Sequence, residues 1–184
     1  MNETLKSIIE SYRDGLLSTP NIQVIQKKLY DETIEFPQLK HFFYFSSFKN
    51  SDLINMKFIN VGFESSSFEK CIFENCIFEN TWFRIAEFHD CMFKNCRFID
   101  CDLSDIYATK TIFNECTFLK GCFNGATLEL CHFLKPIFED VHAGRIGSAV
   151  LIDSKFSNSK KSIEFEGEVY FKSIFDQIDK LHID

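Results

Sequence analysis

A bulky apolar residue returns at every fifth position from Phe43 to Phe138. The twenty centres are sixteen Phe together with Leu53, Leu103, Leu128 and Ala108. A helix repeats about every 3.6 residues and a strand about every 2, so neither keeps such a series on one side. The chain must turn a corner once per pentad, with the large residues sharing an axis. That shared purpose accounts for 23 Phe beside only 7 Gly and 3 Pro.

The flanking positions fit this geometry. Two before each centre the residue is usually small, as in Cys71, Cys76, Thr81, Ala86, Cys91, Cys96 and Cys101. Residues two apart in an extended segment face the same side, so a small and a large residue enter the core together. Ala108 is the one small centre, and its partner Ile106 is large, which reads as a volume swap within one pentad. Two after the centre, Asn and Asp recur at Asn50, Asn55, Asn60, Asn75, Asn80, Asp90, Asn95, Asp100, Asp105 and Asp140. They tolerate left-handed backbone and belong at corners.

Runs such as Cys71-Ile72-Phe73-Glu74-Asn75 and Cys76-Ile77-Phe78-Glu79-Asn80 resemble the pentapeptide-repeat family. The resemblance covers residues 41–140. It implies an all-β fold, a right-handed quadrilateral parallel β-helix in which four pentads make one 20-residue coil. Residues 20 apart should then stack in columns, as in Phe58, Phe78, Phe98, Phe118 and Phe138.

The ends read as helical caps, because a solenoid must cover its open ends. Leu5, Ile8, Ile9, Tyr12 and Leu16 form a helical stripe, and Ile22, Val24, Ile25 and Leu29 suggest a second short helix to about residue 31. Residues 1–40 are therefore expected to be a helical hairpin, 41–158 the β-helix and 159–184 a strand and helix. A break is expected near 139–143, after which Ile146, Leu151 and Phe156 resume the period, slipped by three. Phe171, Ile174, Phe175, Ile178 and Leu181 lie on an amphipathic C-terminal helix and are candidates for a homodimer interface.

Chemistry is sparse. Seven of the eight Cys sit two before a centre, so the repeat explains them as core; Cys122 is the exception and should face outward. Five-residue spacing turns successive Cys onto different faces, unlike the convergent pairs of metal sites. No catalytic, cofactor-binding or metal-binding residues are expected, and the chain reads as no enzyme. The start lacks a basic region followed by an apolar run, and reduced thiols suit the cytoplasm.

The net charge of -7 argues against direct binding of a nucleic-acid backbone. No segment has the apolar length of a membrane span. Three surfaces are candidates for a protein partner. Trp82 and Ile85, near Tyr44 and Phe45, make an apolar patch, open to a partner or covered by the N-terminal helices. Asp100, Asp102 and Asp105 cluster as an acidic corner. Ile72, Met92 and Ile112 should stack as an exposed apolar stripe, which usually marks contact. Glu64, Glu69, Glu74 and Glu79 read as a solvated belt around one coil. Some family members bind DNA gyrase, so the resemblance implies a type II topoisomerase partner, shielded from a drug or toxin. The alternative is a scaffold or effector-type interaction protein that uses the stripe.

Overall fold

The computed structural model describes Ile9–Glu10, residues 21–142 and, as backbone, the later strands Ala149–Ile152, Lys155–Ser157, Phe165–Glu166, Val169–Lys172 and Ile178–Lys180. Its architecture is a parallel β-solenoid of about six turns with three long sheets and a two-stranded one, Val141–His142 paired with Phe165–Glu166. Three-residue strands pair in parallel with strands 20 residues on. In the second sheet, for example, Phe73 pairs with Phe93 and Phe93 with Phe113. The three sheets contain nine, seven and six strands. The fourth face is a turn face, held by isolated parallel bridges from Gly62 to Trp82, Asp102 and Cys122.

All twenty centres are buried, and their rings form columns along the axis. Phe58, Phe78, Phe98, Phe118 and Phe138 stack with centroids 5.3, 4.9, 4.7 and 4.8 Å apart. Neighbouring columns meet edge to face, as Phe73 meets Phe78 at 5.9 Å. Near-parallel and edge-to-face packing are both favourable ring geometries, each worth about 0.5–1.5 kcal/mol beyond area burial. The Phe48, Phe68, Phe88 column is interrupted by Ala108, and Ile106 is buried beside it in sequence, as the volume swap requires.

The small inward position has a second duty. Cys91 Sγ donates to the Phe68 carbonyl at 3.4 Å, Cys96 to Phe73 at 3.3 Å and Cys101 to Phe78 at 3.4 Å. Thr111 Oγ1 makes the same bond to Phe88. Each thiol or hydroxyl thus joins its coil to the one before.

Corners are uniformly left-handed. Non-glycine residues two after a centre have φ between 46° and 58°, at Asn80 and Ile85 respectively. Asparagines at one corner form a ladder: Asn55 donates to Asp31, Asn75 to Asn55 and Asn95 to Asn75, at 2.7, 3.1 and 2.8 Å. The corner set also includes Phe45, Ile85 and Leu130, all exposed.

The N-terminal expectation needs correction. Residues 22–31 are not a second helix. They form strands Gln23–Ile25 and Lys28–Tyr30, followed by Thr33–Lys40. Val24, Leu29 and Ile34 are pentad centres, with Gln26 and Asp31 left-handed at the corners. They pair with Phe48, Leu53 and Phe58, 24 residues on. An open parallel edge supplies hydrogen-bond partners to the whole segment, and that outweighs a weak local helix preference. The four extra residues fall within and after Thr33–Lys40, where the register shifts between Glu35 and Lys40. They bring buried Phe36 against buried Phe42, with centroids 5.4 Å apart. Ile9 and Glu10 are helical and Ile9 is buried; the rest of the expected first helix lies outside the described residues.

At the other end, Leu128 pairs with Leu151 and Phe133 with Phe156, so the three-residue slip holds. The expected C-terminal helix is not formed where the backbone is described. Val169–Lys172 pairs in parallel with Ala149–Ile152, and Ile178–Lys180 returns antiparallel on Val169–Lys172. The reason is again an available ladder edge. Phe171 occupies the register position of Leu151, and Ile178 that opposite Lys172. Ile174, Phe175 and Leu181 lie outside the described residues.

Candidate functional site

The second sheet presents the apolar stripe. Met92 is paired with Ile72 on one side and Ile112 on the other, so the three side chains form one outward row. Ile72 is 39% and Met92 37% exposed, while Ile112 is half-buried. Charged or polar residues bound the row: Lys28 and Asp52 before it, His132 after it. Lys28 Nζ lies 3.5 Å from Asp52 Oδ2. The stripe is therefore a short apolar island on a flat sheet, with a polar rim.

The acidic corner is less unified than its sequence suggests. Asp100 and Asp105 occupy left-handed corners at opposite edges of the turn face. Asp102, between them, is engaged by its neighbours. Its Oδ1 accepts the Ser104 backbone N–H at 2.9 Å, and its Oδ2 lies 3.8 Å from Arg84 Nε. One face thus holds all three, but Asp102 serves a local turn and an ion pair.

The glutamate belt is also divided. Glu69, Glu74 and Glu79 face Lys49, Lys94 and Lys57 at 3.1, 2.7 and 4.0 Å on the exterior. Glu64 is instead buried in the turn face. The solvated-belt expectation fails there because Gly62, two residues earlier, leaves space that the Glu64 carboxylate enters.

All eight thiols are free, and seven are buried. Burial pushes Cys101 up to about 12 and Cys131 up to about 11. Cys122 is half-buried, with Sγ 3.3 Å from Ser104 Oγ. Among the described residues, no group of three or more His, Cys, Asp and Glu is placed to hold a metal ion. No described helix is long and apolar enough to cross a membrane.

The coil geometry defines a class, the square-sectioned parallel β-solenoid built from five-residue units. The pentapeptide-repeats family profile matches residues 91–129 as eight copies. Residues 91–129 are thus pentapeptide repeats, and the same five-residue period runs on either side of them. Among solved structures it is similar to QnrB1, a plasmid-mediated fluoroquinolone resistance protein, at 16% identity over 82% of this chain and 91% of that one, with TM-score 0.33. It is also similar to HetL, involved in heterocyst differentiation regulation in the cyanobacterium Nostoc sp. strain PCC 7120. There the identity is 10% over 80% of this chain and 77% of that one, with TM-score 0.36. Comparison with curated proteins gives no match.

Proposed function

We propose that this chain is a non-catalytic protein-interaction module acting in the cytoplasm, with the Ile72–Met92–Ile112 row as its contact surface. The row carries the reading because it leaves apolar side chains outward on a sheet whose inward side is already filled. A type II topoisomerase such as DNA gyrase is the partner to test first, with protection from a drug or toxin as the effect. Asp100 and Asp105 would then add a charge-based contact at the turn-face corners. A homodimer through the C-terminal segment is compatible with either surface, and light scattering of the purified chain tests it.

The experiment is a gyrase supercoiling assay with titrated protein, with and without a fluoroquinolone. Inhibition or drug protection supports the topoisomerase reading. Loss of that effect in Met92→Asp assigns it to the row. Loss with added salt and in Asp100→Asn/Asp105→Asn assigns it to the charged corners. Asn tolerates the left-handed corner, so the double variant changes charge without straining the backbone. No effect at high excess ends the gyrase reading.

A further inference from the structure

The outward row of the second sheet has a reversible pattern. Along the rod it runs Asp52, Ile72, Met92, Ile112, His132, each paired with the next without a shift of register. The steps are therefore equal, at about 4.8 Å each. Turned end for end about Met92, the row sets Ile72 against Ile112 and Asp52 against His132. A companion row on the same strands runs Ile54, Glu74, Lys94, Asn114, Leu134. Turned about Lys94, it sets Ile54 against Leu134 and Glu74 against Asn114.

These crossings are complementary. Apolar side chains meet apolar ones at Ile72, Met92, Ile112, Ile54 and Leu134. The Asp52 carboxylate meets an imidazole, which donates an N–H either as cation or as neutral ring. Glu74 meets the amide of Asn114, also a donor. Lys94 meets its own copy, but its Nζ lies 2.7 Å from Glu74 Oε1, so the pair enters the contact nearly neutral. The third sheet lacks this property. Its row Lys57, Ile77, Arg97, Thr117, Ile137 puts Arg97 on Arg97 and Ile77 on Thr117 when reversed.

We propose that the outward face of the second sheet binds a second copy of this chain. The two rods lie antiparallel and face to face, about a twofold axis parallel to the Met92–Lys94 strands and midway between them. The proposal rests on the protein-interaction reading and names the occupant of its contact row. A twofold contact requires one patch to complement itself, and this face does so. Five coils of three-residue strands give a footprint of about 24 Å by 10 Å. That is small beside the roughly 800 Å² per partner of a standard interface, so the dimer should be weak, with Kd on the order of 100 µM.

The test is sedimentation velocity of the full chain from about 10 µM to 1 mM, a range that brackets this Kd. The expected result is a concentration-dependent shift from monomer to dimer. Ile72→Lys and Ile112→Asp should each weaken it by at least about tenfold, because each puts a charge into the apolar contact twice. Neither sets like charges together in its own column, where the neighbours are Asp52 and Met92, or Met92 and His132. An equimolar mixture of the two variants should regain dimer that neither forms alone. In the mixed pair the new lysine meets the new aspartate, and Ile112 still meets Ile72. Should either variant fail to fold, Ile54→Lys with Leu134→Asp tests the companion row in the same way. A monomer at all concentrations, a dimer unmoved by both substitutions, or no recovery on mixing would overturn the proposal. A gyrase effect that Met92→Asp abolishes, in a chain that stays monomeric, would keep the contact row and remove the second copy as its occupant.

Discussion

Asn95 donates its side-chain amide to Asn75 Oδ1 at 2.8 Å, and both residues hold left-handed backbone, at φ 52° and 54°. One residue type therefore satisfies the corner and bonds it to the next coil. The two duties can be separated. Asn75→Gly removes the ladder bonds but keeps the conformation at low cost. Asn75→Ala removes the bonds and adds left-handed strain of about 1–2 kcal/mol. Urea unfolding should find the Ala variant less stable than the Gly variant by about 1 kcal/mol. Equal stabilities would mean that corner strain is relieved locally.

Ala108 and Ile106 should behave as one packing unit. Ala108→Phe alone overpacks the axis, at about 1–3 kcal/mol. Ile106→Ala alone leaves a cavity, at about 2–5 kcal/mol. Together they should cost less than the sum, with a coupling of about 1 kcal/mol or more in a double-mutant cycle. Additive costs would place the Ile106 side chain outside the space that Ala108 leaves.

Thiol labelling of the folded chain at mildly alkaline pH should modify Cys122 first and the other seven only on unfolding. Mass spectrometry of the labelled peptides reads this directly. Burial holds the Cys101 and Cys131 thiols protonated in the fold, whereas their ordinary value is 9.0. Both folded values are raised, so their stabilising contribution is complete below about pH 9 and is lost as pH rises toward 11 and 12. The melting temperature should fall through that window.

Phe93 lies between Phe73 and Phe113, at centroid distances of 4.4 and 5.0 Å. Phe93→Ala should cost about 3–5 kcal/mol, because both flanking rings lose a neighbour that backbone pairing prevents them from replacing. A cost near 1 kcal/mol in chemical denaturation would indicate that the coils collapse into the gap.

The five-residue period is a purely local signal, and it carries the solenoid, its columns and the slip of three near residue 140. Val24, Leu29 and Ile34 carry the same signal, but Ile22 and Ile25 beside them also suit a helix. Only the free ladder edge of the next coil decides between the two readings, and an edge is a tertiary object. The C-terminal strands escaped for the same reason. The stripe was legible because outward columns follow from register alone. The burial of Glu64 was not. Tyr44, Glu64 and Arg84 fall in one column by counting, yet the inward turn of Glu64 depends on the missing side chain of Gly62. A glycine next to tryptophan in an outward column is the signal that could have found it.

The constant 20-residue step between paired strands also bears on how the chain reaches this shape. Adding a coil to an existing one closes a loop of the same length each time, so the entropic toll of growth does not rise with the rod. The steps of 24 residues near Phe48 and 23 near Leu151 lengthen that loop only slightly. Folding can start at any adjacent pair of coils and zip outward. A whole number of coils is, by the same reasoning, the natural quantum of gain or loss: excising residues 83–102 would set Phe118 directly on Phe78 with every column intact.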